Sequence, residues 1–134
     1  MTCFVKRAID SEELSRELVH KTLSESFQNQ RSLSGLVVNK ARKFTVEGSH
    51  IVLEYPYLDP REWLPLGLAD ILHSSRACLI KVCTAVDYLH LMRMVHLDIT
   101  CQNILVSSSD TGFRVRLVDL EFLRPVGTPC EGKI

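Results

Sequence analysis

Val95-His96-Leu97-Asp98-Ile99-Thr100-Cys101-Gln102-Asn103-Ile104-Leu105-Val106 is the stretch that decides how this chain is to be read. It places a carboxylate, Asp98, five residues before a carboxamide, Asn103, and then runs into an apolar strand. A second carboxylate, Asp119, follows that strand and the next. Asp and Asn are ordinary turn residues when taken singly. Their combined spacing suits phosphoryl transfer, which needs a carboxylate to orient the attacking hydroxyl and accept its proton. The same chemistry needs hard oxygen ligands for Mg²⁺. Asp98 fits the first role, and Asn103 and Asp119 fit the second.

Working outward, the periodicity predicts a helix over Ser75–Met92. Leu79, Val82, Cys83, Val86 and Leu89 form its apolar stripe. After the decisive stretch, Ile104–Ser107 and Arg114–Asp119 read as a hairpin around Ser108-Ser109-Asp110-Thr111-Gly112. Toward the N-terminus, Pro56 and Pro60 bracket an irregular connector, since neither can donate to a strand ladder. A short helix is expected from Arg61 to Leu72, kinked at Pro65. Leu36–Phe44 and His50–Tyr55 read as strands joined at Glu47-Gly48-Ser49, and Thr2–Ile9 as a further strand. Asp10 and Glu13 have capping-box spacing, and a helix follows over Ser11–Phe27, with Leu14, Leu18, Val19, Leu23 and Phe27 on its apolar face. The fold class is α+β.

Composition narrows the function classes. The 134 residues allow one modest domain, 46% hydrophobic and 24% charged, as in ordinary globular proteins. Lys plus Arg and Asp plus Glu both number 16, so charge gives no argument for a nucleic acid or an anionic membrane as partner. No apolar run is long enough to span a bilayer, and the N-terminus lacks the core of a signal peptide. Cys3, Cys78, Cys83, Cys101 and Cys130 form no CxxC pair, which points away from a disulfide framework or zinc site and toward a reducing, intracellular, cytoplasmic setting. His20, His50, His73 and His90 lack ligand spacing, and His96 reads as a packing and hydrogen-bonding residue of its loop.

The order of these motifs resembles the protein kinase domain. His96-Leu97-Asp98-Ile99-Thr100-Cys101-Gln102-Asn103 followed by Asp119-Leu120-Glu121 is similar to H-R-D-L-x-x-x-N followed by D-F-G. Ala85-Val86-Asp87-Tyr88-Leu89-His90 resembles the helix that delivers that loop. Ile51-Val52-Leu53-Glu54-Tyr55 resembles the strand entering the hinge, Cys3-Phe4-Val5-Lys6 resembles V-A-I-K, and Val126-Gly127-Thr128-Pro129 resembles the G-T-P of late activation segments. The resemblance implies an incomplete two-lobe fold, with residues 1–55 as part of an N-lobe, 56–60 as a hinge and 61–134 as part of a C-lobe. It implies ATP and Mg²⁺ as cofactors and a protein substrate or binding partner. Asp98 would be catalytic. Lys6, Leu53 (the gatekeeper), Glu54, Asp59, Asn103 and Asp119 would contact the nucleotide, with Asn103 and Asp119 also holding the metal. Glu17 and Glu25 are the candidates to pair with Lys6.

Four positions depart from the family pattern. Leu97 replaces the Arg that pairs with a phosphorylated activation loop. Thr100 stands where Ser/Thr kinases carry a phosphate-contacting Lys, and Glu121 replaces the flexible Gly after the metal ligand. Pro56 removes the backbone N–H that bonds adenine, worth roughly 0.5–1.5 kcal/mol. No Gly-rich loop precedes Lys6 and nothing like A-P-E follows, so the chain is expected to expose apolar surface and to be weak or inactive alone. A pseudokinase that serves interaction is the first alternative. A small-molecule kinase resembling the choline and aminoglycoside kinases is the second, suggested by the acid two residues after Asp119.

Overall fold

The computed structural model describes residues 3–9, 13–48, 50–67, 75–109 and 112–129. Its strands fall into three groups. β1 (Cys3–Ile9), β2 (Lys43–Glu47) and β3 (His50–Pro56) form an antiparallel sheet in the order β1-β3-β2. Alternation of Ile51, Leu53 and Tyr55 in the central strand buries these three against α1 (Glu13–Gln30), where they meet Leu23 and Ala41. The tight turn at Gly48 has φ of +61°, a region that suits glycine.

α1 runs three residues beyond the expected Phe27, and Asp10 of the expected cap lies outside the described residues. The extension matters because Gln30 then falls on the buried stripe with Leu23 and Phe27. Gln30 Nε2 donates to Ser26 Oγ at 3.0 Å, and Gln30 Oε1 accepts from Ala41 N–H at 2.7 Å. That last bond is one reason residues 36–42 are not the expected strand. Instead the chain turns at Ser34, makes a single parallel bridge between Val38 and Leu117, and enters β2 only at Lys43.

The connector also departs from expectation. Over 61–67 there is no helix: Leu64 and Pro65 form a two-residue strand, β4, paired with Val106 and Leu105. A residue before proline is pushed out of the helical region, and Pro65 lacks the N–H a helix needs. Residues 68–72 of the expected helix lie outside the described residues. Trp63 anchors this turn, buried with the guanidinium groups of Arg114 and Arg116 at 4.9 and 5.0 Å from its ring.

α2 (Ser75–Leu91) agrees with the predicted helix to within a residue, but it buries a different face. Cys78, Val82, Ala85 and Leu89 enter the core beside Val115 and Leu117, whereas Leu79 is 48% exposed and Cys83 is also exposed. Apolar residues extend more than halfway round this helix, so periodicity alone could not select the buried face. Leu79, Ile80, Leu91 and Met92 leave apolar surface open among the described residues, as the sequence led one to expect. Beyond α2, β5 (Met94–Val95) pairs with β8 (Arg124–Pro125), and β6 (Ile104–Ser109) pairs with β7 (Gly112–Leu117). The expected hairpin is therefore present, with Asp110 and Thr111 of its turn outside the described residues.

Candidate functional site

The stretch between β5 and β6 is irregular, and its hydrogen bonds show why it holds one shape. His96 is 3% exposed. Its Nδ1 accepts the Asp98 backbone N–H at 3.1 Å, so its Nε2 carries the proton and donates to the Val118 carbonyl at 2.8 Å. One imidazole thus ties the Asp98 loop to the residue just before Asp119. Asn103 makes the second tie. Its Nδ2 donates to the Asp98 carbonyl at 2.9 Å and to Asp98 Oδ2 at 3.2 Å, while Val118 N–H donates to the Asn103 carbonyl at 3.0 Å. Asp98, Asn103 and the approach to Asp119 are therefore one hydrogen-bonded unit.

Backbone strain concentrates here. Leu97 and Asp119 have φ of +70° and +58°, in the left-handed region that costs a non-glycine residue about 1 kcal/mol or more. The bonds flanking each residue, from His96 to Val118 and from Asn103 to Asp98, hold that conformation in place.

Asp119 lines a cleft of about 560 Å³. Asn39, Tyr55, Pro56, Tyr57, Leu58 and Pro60 line it together with Leu105 and Val118. The cleft is mostly apolar, with the Asp119 carboxylate among its lining groups. The donor set also fits a hard divalent cation. Asn103 commits its amide nitrogen to Asp98, and its side-chain carbonyl oxygen and the Asp119 carboxylate are donors of the hard-oxygen type that such a cation takes.

The structure bonds Asn103 to Asp98 and to Val118, the residue before Asp119, and places the other predicted residues elsewhere. Leu53 is fully buried between β3 and α1, beside Leu23, and Glu54 is half-buried on the same strand. Neither lines the cleft. Asp59 is committed to a turn: its carboxylate takes Arg61 N–H at 2.9 Å and the Arg61 guanidinium at 2.8 Å. Hydrogen bonds from Arg61 hold the Asp59 carboxyl below the usual carboxylate range. Lys6 pairs in register with Leu53, and its side chain lies outside the described residues. Glu17 is exposed, whereas Glu25 forms an ion pair with Arg124 at 2.8 Å.

Several residues escaped the sequence reading. Ser26 Oγ donates to the Leu120 carbonyl, and Asn29 Nδ2 donates to the Leu123 carbonyl at 3.0 Å. With the Glu25–Arg124 pair, these bonds fasten α1 to the segment just after Asp119. Asn39 Nδ2 donates to the Pro56 carbonyl at 3.2 Å, at the cleft wall. Only Ser26 and Gln30 left a trace in the sequence, as polar residues on an otherwise apolar helical stripe.

Comparison with known proteins bears on the C-terminal half of this geometry. Residues 65–128 match the family described as protein tyrosine and serine/threonine kinase. The chain is also 48% identical over 54 residues to a Caenorhabditis elegans protein named "Putative ribosomal protein S6 kinase alpha-2". That similarity covers 40% of this chain and 7% of the relative's length. Asp98, Asn103 and Asp119 fall within the matched residues, and Lys6, Leu53, Glu54 and Asp59 fall before them. Residues 65–128 are therefore similar to part of a protein kinase domain.

Proposed function

We propose that the domain to which this segment belongs transfers the γ-phosphate of ATP to a protein hydroxyl, on Ser or Thr in preference to Tyr. The observation that carries this is the double hydrogen bond from Asn103 Nδ2 to the backbone carbonyl and side chain of Asp98. It fixes a carboxylate beside a side-chain carbonyl oxygen, close in the chain to a cleft that Asp119 lines. In this scheme Asp98 orients the substrate hydroxyl and accepts its proton as the new O–P bond forms and the bond to the leaving ADP breaks. Asn103 and Asp119 hold Mg²⁺, which when bound offsets the charge on the phosphates. Lys6 grips the α and β phosphates, and Tyr55, Pro56 and Leu105 sandwich the base. The partition into residues 1–55, 56–60 and 61–134 follows the same scheme, with the cleft between the outer two. The relative's name, a ribosomal protein S6 kinase, favours a protein substrate.

A pseudokinase is the second reading, and a specific contact favours it. Glu25 has the spacing to steady Lys6, yet its carboxylate is engaged by Arg124, which is only 12% exposed. Thr100 and Glu121 weaken the electrostatics of transfer in the same direction. Transfer of labelled γ-phosphate from Mg-ATP to Ser/Thr peptide pools, measured with the chain and with Asp98→Asn, decides between them. A kinase loses at least about 100-fold in the variant. No incorporation by a folded chain whose ATP binding does not depend on Mg²⁺ supports the pseudokinase.

A further inference from the structure

We propose that α2 pairs antiparallel with the α2 of a second copy of this chain, through the stripe that its own fold leaves open. The pairing uses none of the residues placed in the nucleotide cleft. On the outer side of α2, a shallow groove of about 450 Å³ is lined by Arg76, Leu79, Ile80, Cys83, Thr84 and Asp87. All six belong to α2 itself, so no other described element lines the groove. Leu79 is 48% and Ile80 57% exposed, and the other four are exposed as well. The core takes the opposite side of the helix, through Cys78, Val82, Ala85 and Leu89.

The stripe is symmetric about the point between Lys81 and Val82: Arg76 mirrors Asp87, Leu79 mirrors Thr84, and Ile80 mirrors Cys83. At about 100° and about 1.5 Å per residue, Arg76 and Asp87 fall on its midline, about 16 Å apart along the axis. Ile80 and Cys83 straddle its centre, and Leu79 and Thr84 form its flanks. A second helix laid on it in reverse sets Arg76 against the partner's Asp87 at one end, and Asp87 against the partner's Arg76 at the other. Ile80 and Cys83 of the two copies then meet around the two-fold axis. Parallel pairing would instead set Arg76 against Arg76 and Asp87 against Asp87, which repulsion disfavours. Neither Arg76 nor Asp87 has an ion-pair partner among the described residues, so both charges are available to a second copy. Thr84 Oγ donates to the Ile80 carbonyl at 2.8 Å, so its hydroxyl is satisfied within the helix and loses no bond when covered. Covering Leu79 and Ile80 supplies the favourable apolar burial that the fold leaves unused.

The test is sedimentation velocity of the full chain at about 2–200 μM, a range suited to a small interface. The wild type is expected to pass from monomer to dimer across it. Arg76→Asp and Asp87→Arg, both at exposed positions, each set like charges against each other at both ends. Either alone should weaken the dimer at least about tenfold. Mixed in equal amounts, the two variants restore opposite charges at both ends, and the dimer should return to within about threefold of wild-type strength. A wild type that stays monomeric throughout overturns the pairing and leaves the face to a partner of another kind. Single variants that dimerise as tightly as the wild type overturn it, and so does a mixture that fails to recover. Assembly beyond the dimer overturns it too, since it marks unspecific apolar adhesion.

Discussion

Gln30→Ala tests the structural joint that sets α1 against the rest of the molecule. The Gln30 side chain is fully buried and makes two hydrogen bonds, to Ser26 Oγ and from Ala41 N–H. Removing it strands the Ala41 N–H in a buried position, a penalty of about 1–3 kcal/mol. The lost bond to Ser26 costs about 1 kcal/mol, less than a full orphan, because Ser26 Oγ still donates to the Leu120 carbonyl. The unfilled space beneath α1 adds about 1 kcal/mol. A destabilisation of about 4 kcal/mol follows, a large fraction of the roughly 5–15 kcal/mol that holds a typical domain together. Equilibrium urea unfolding reads this as a midpoint lowered by about 2 M for a slope near 2 kcal/mol/M. Gln28→Ala, an exposed substitution on the same helix, is the control and should move the midpoint by about 0.2 M at most. Equal small shifts in both variants would refute the claim that Gln30 joins α1 to residue 41.

Three further outcomes follow from other parts of the fold. Val82→Ala should destabilise by about 1–3 kcal/mol and Leu79→Ala by about 0.5 kcal/mol or less, measured by the same unfolding curves, because only Val82 faces the core. The Asp59 carboxylate should titrate below the ordinary range in an NMR pH series and move back up in Arg61→Ala. The sign is that of a depressed carboxylate: its interaction is complete above the ordinary Asp pKa and is lost as pH falls through the lowered one. Under native conditions a maleimide should label Cys83 and Cys101 quickly and Cys78 slowly, by mass spectrometry of peptides, since burial both shields the Cys78 thiol and raises its pKa.

What the sequence could disclose was mostly local. That Asp98 and Asn103 lie side by side was legible, because only five residues separate them along the chain. The hairpin of β6 and β7 and the limits of α2 were legible for the same reason, since periodicity and turn residues act over a few positions. The buried face of α2 was not, because Leu79, Ile80 and Cys83 are as apolar as Cys78, Val82 and Ala85, and only the sheet it meets makes the choice. The segment 61–67 misled because its composition suits a short helix, whereas Pro65 finds its partner in Leu105, forty residues away. Contacts such as Ser26 with Leu120, Glu25 with Arg124 and Asn39 with Pro56 join positions that no sequence period relates.

The most direct single measurement is a thermal-shift titration of the chain with ATP, with and without Mg²⁺, beside Asp119→Asn. Stabilisation by ATP that requires Mg²⁺ and disappears in the variant is the expected result, about 2.7 kcal/mol when ligand stands at a hundredfold excess over its dissociation constant. A cooperative melt that ATP and Mg²⁺ leave unmoved, or a shift that Asp119→Asn retains in full, would contradict the assignment of Asp119 to a nucleotide site.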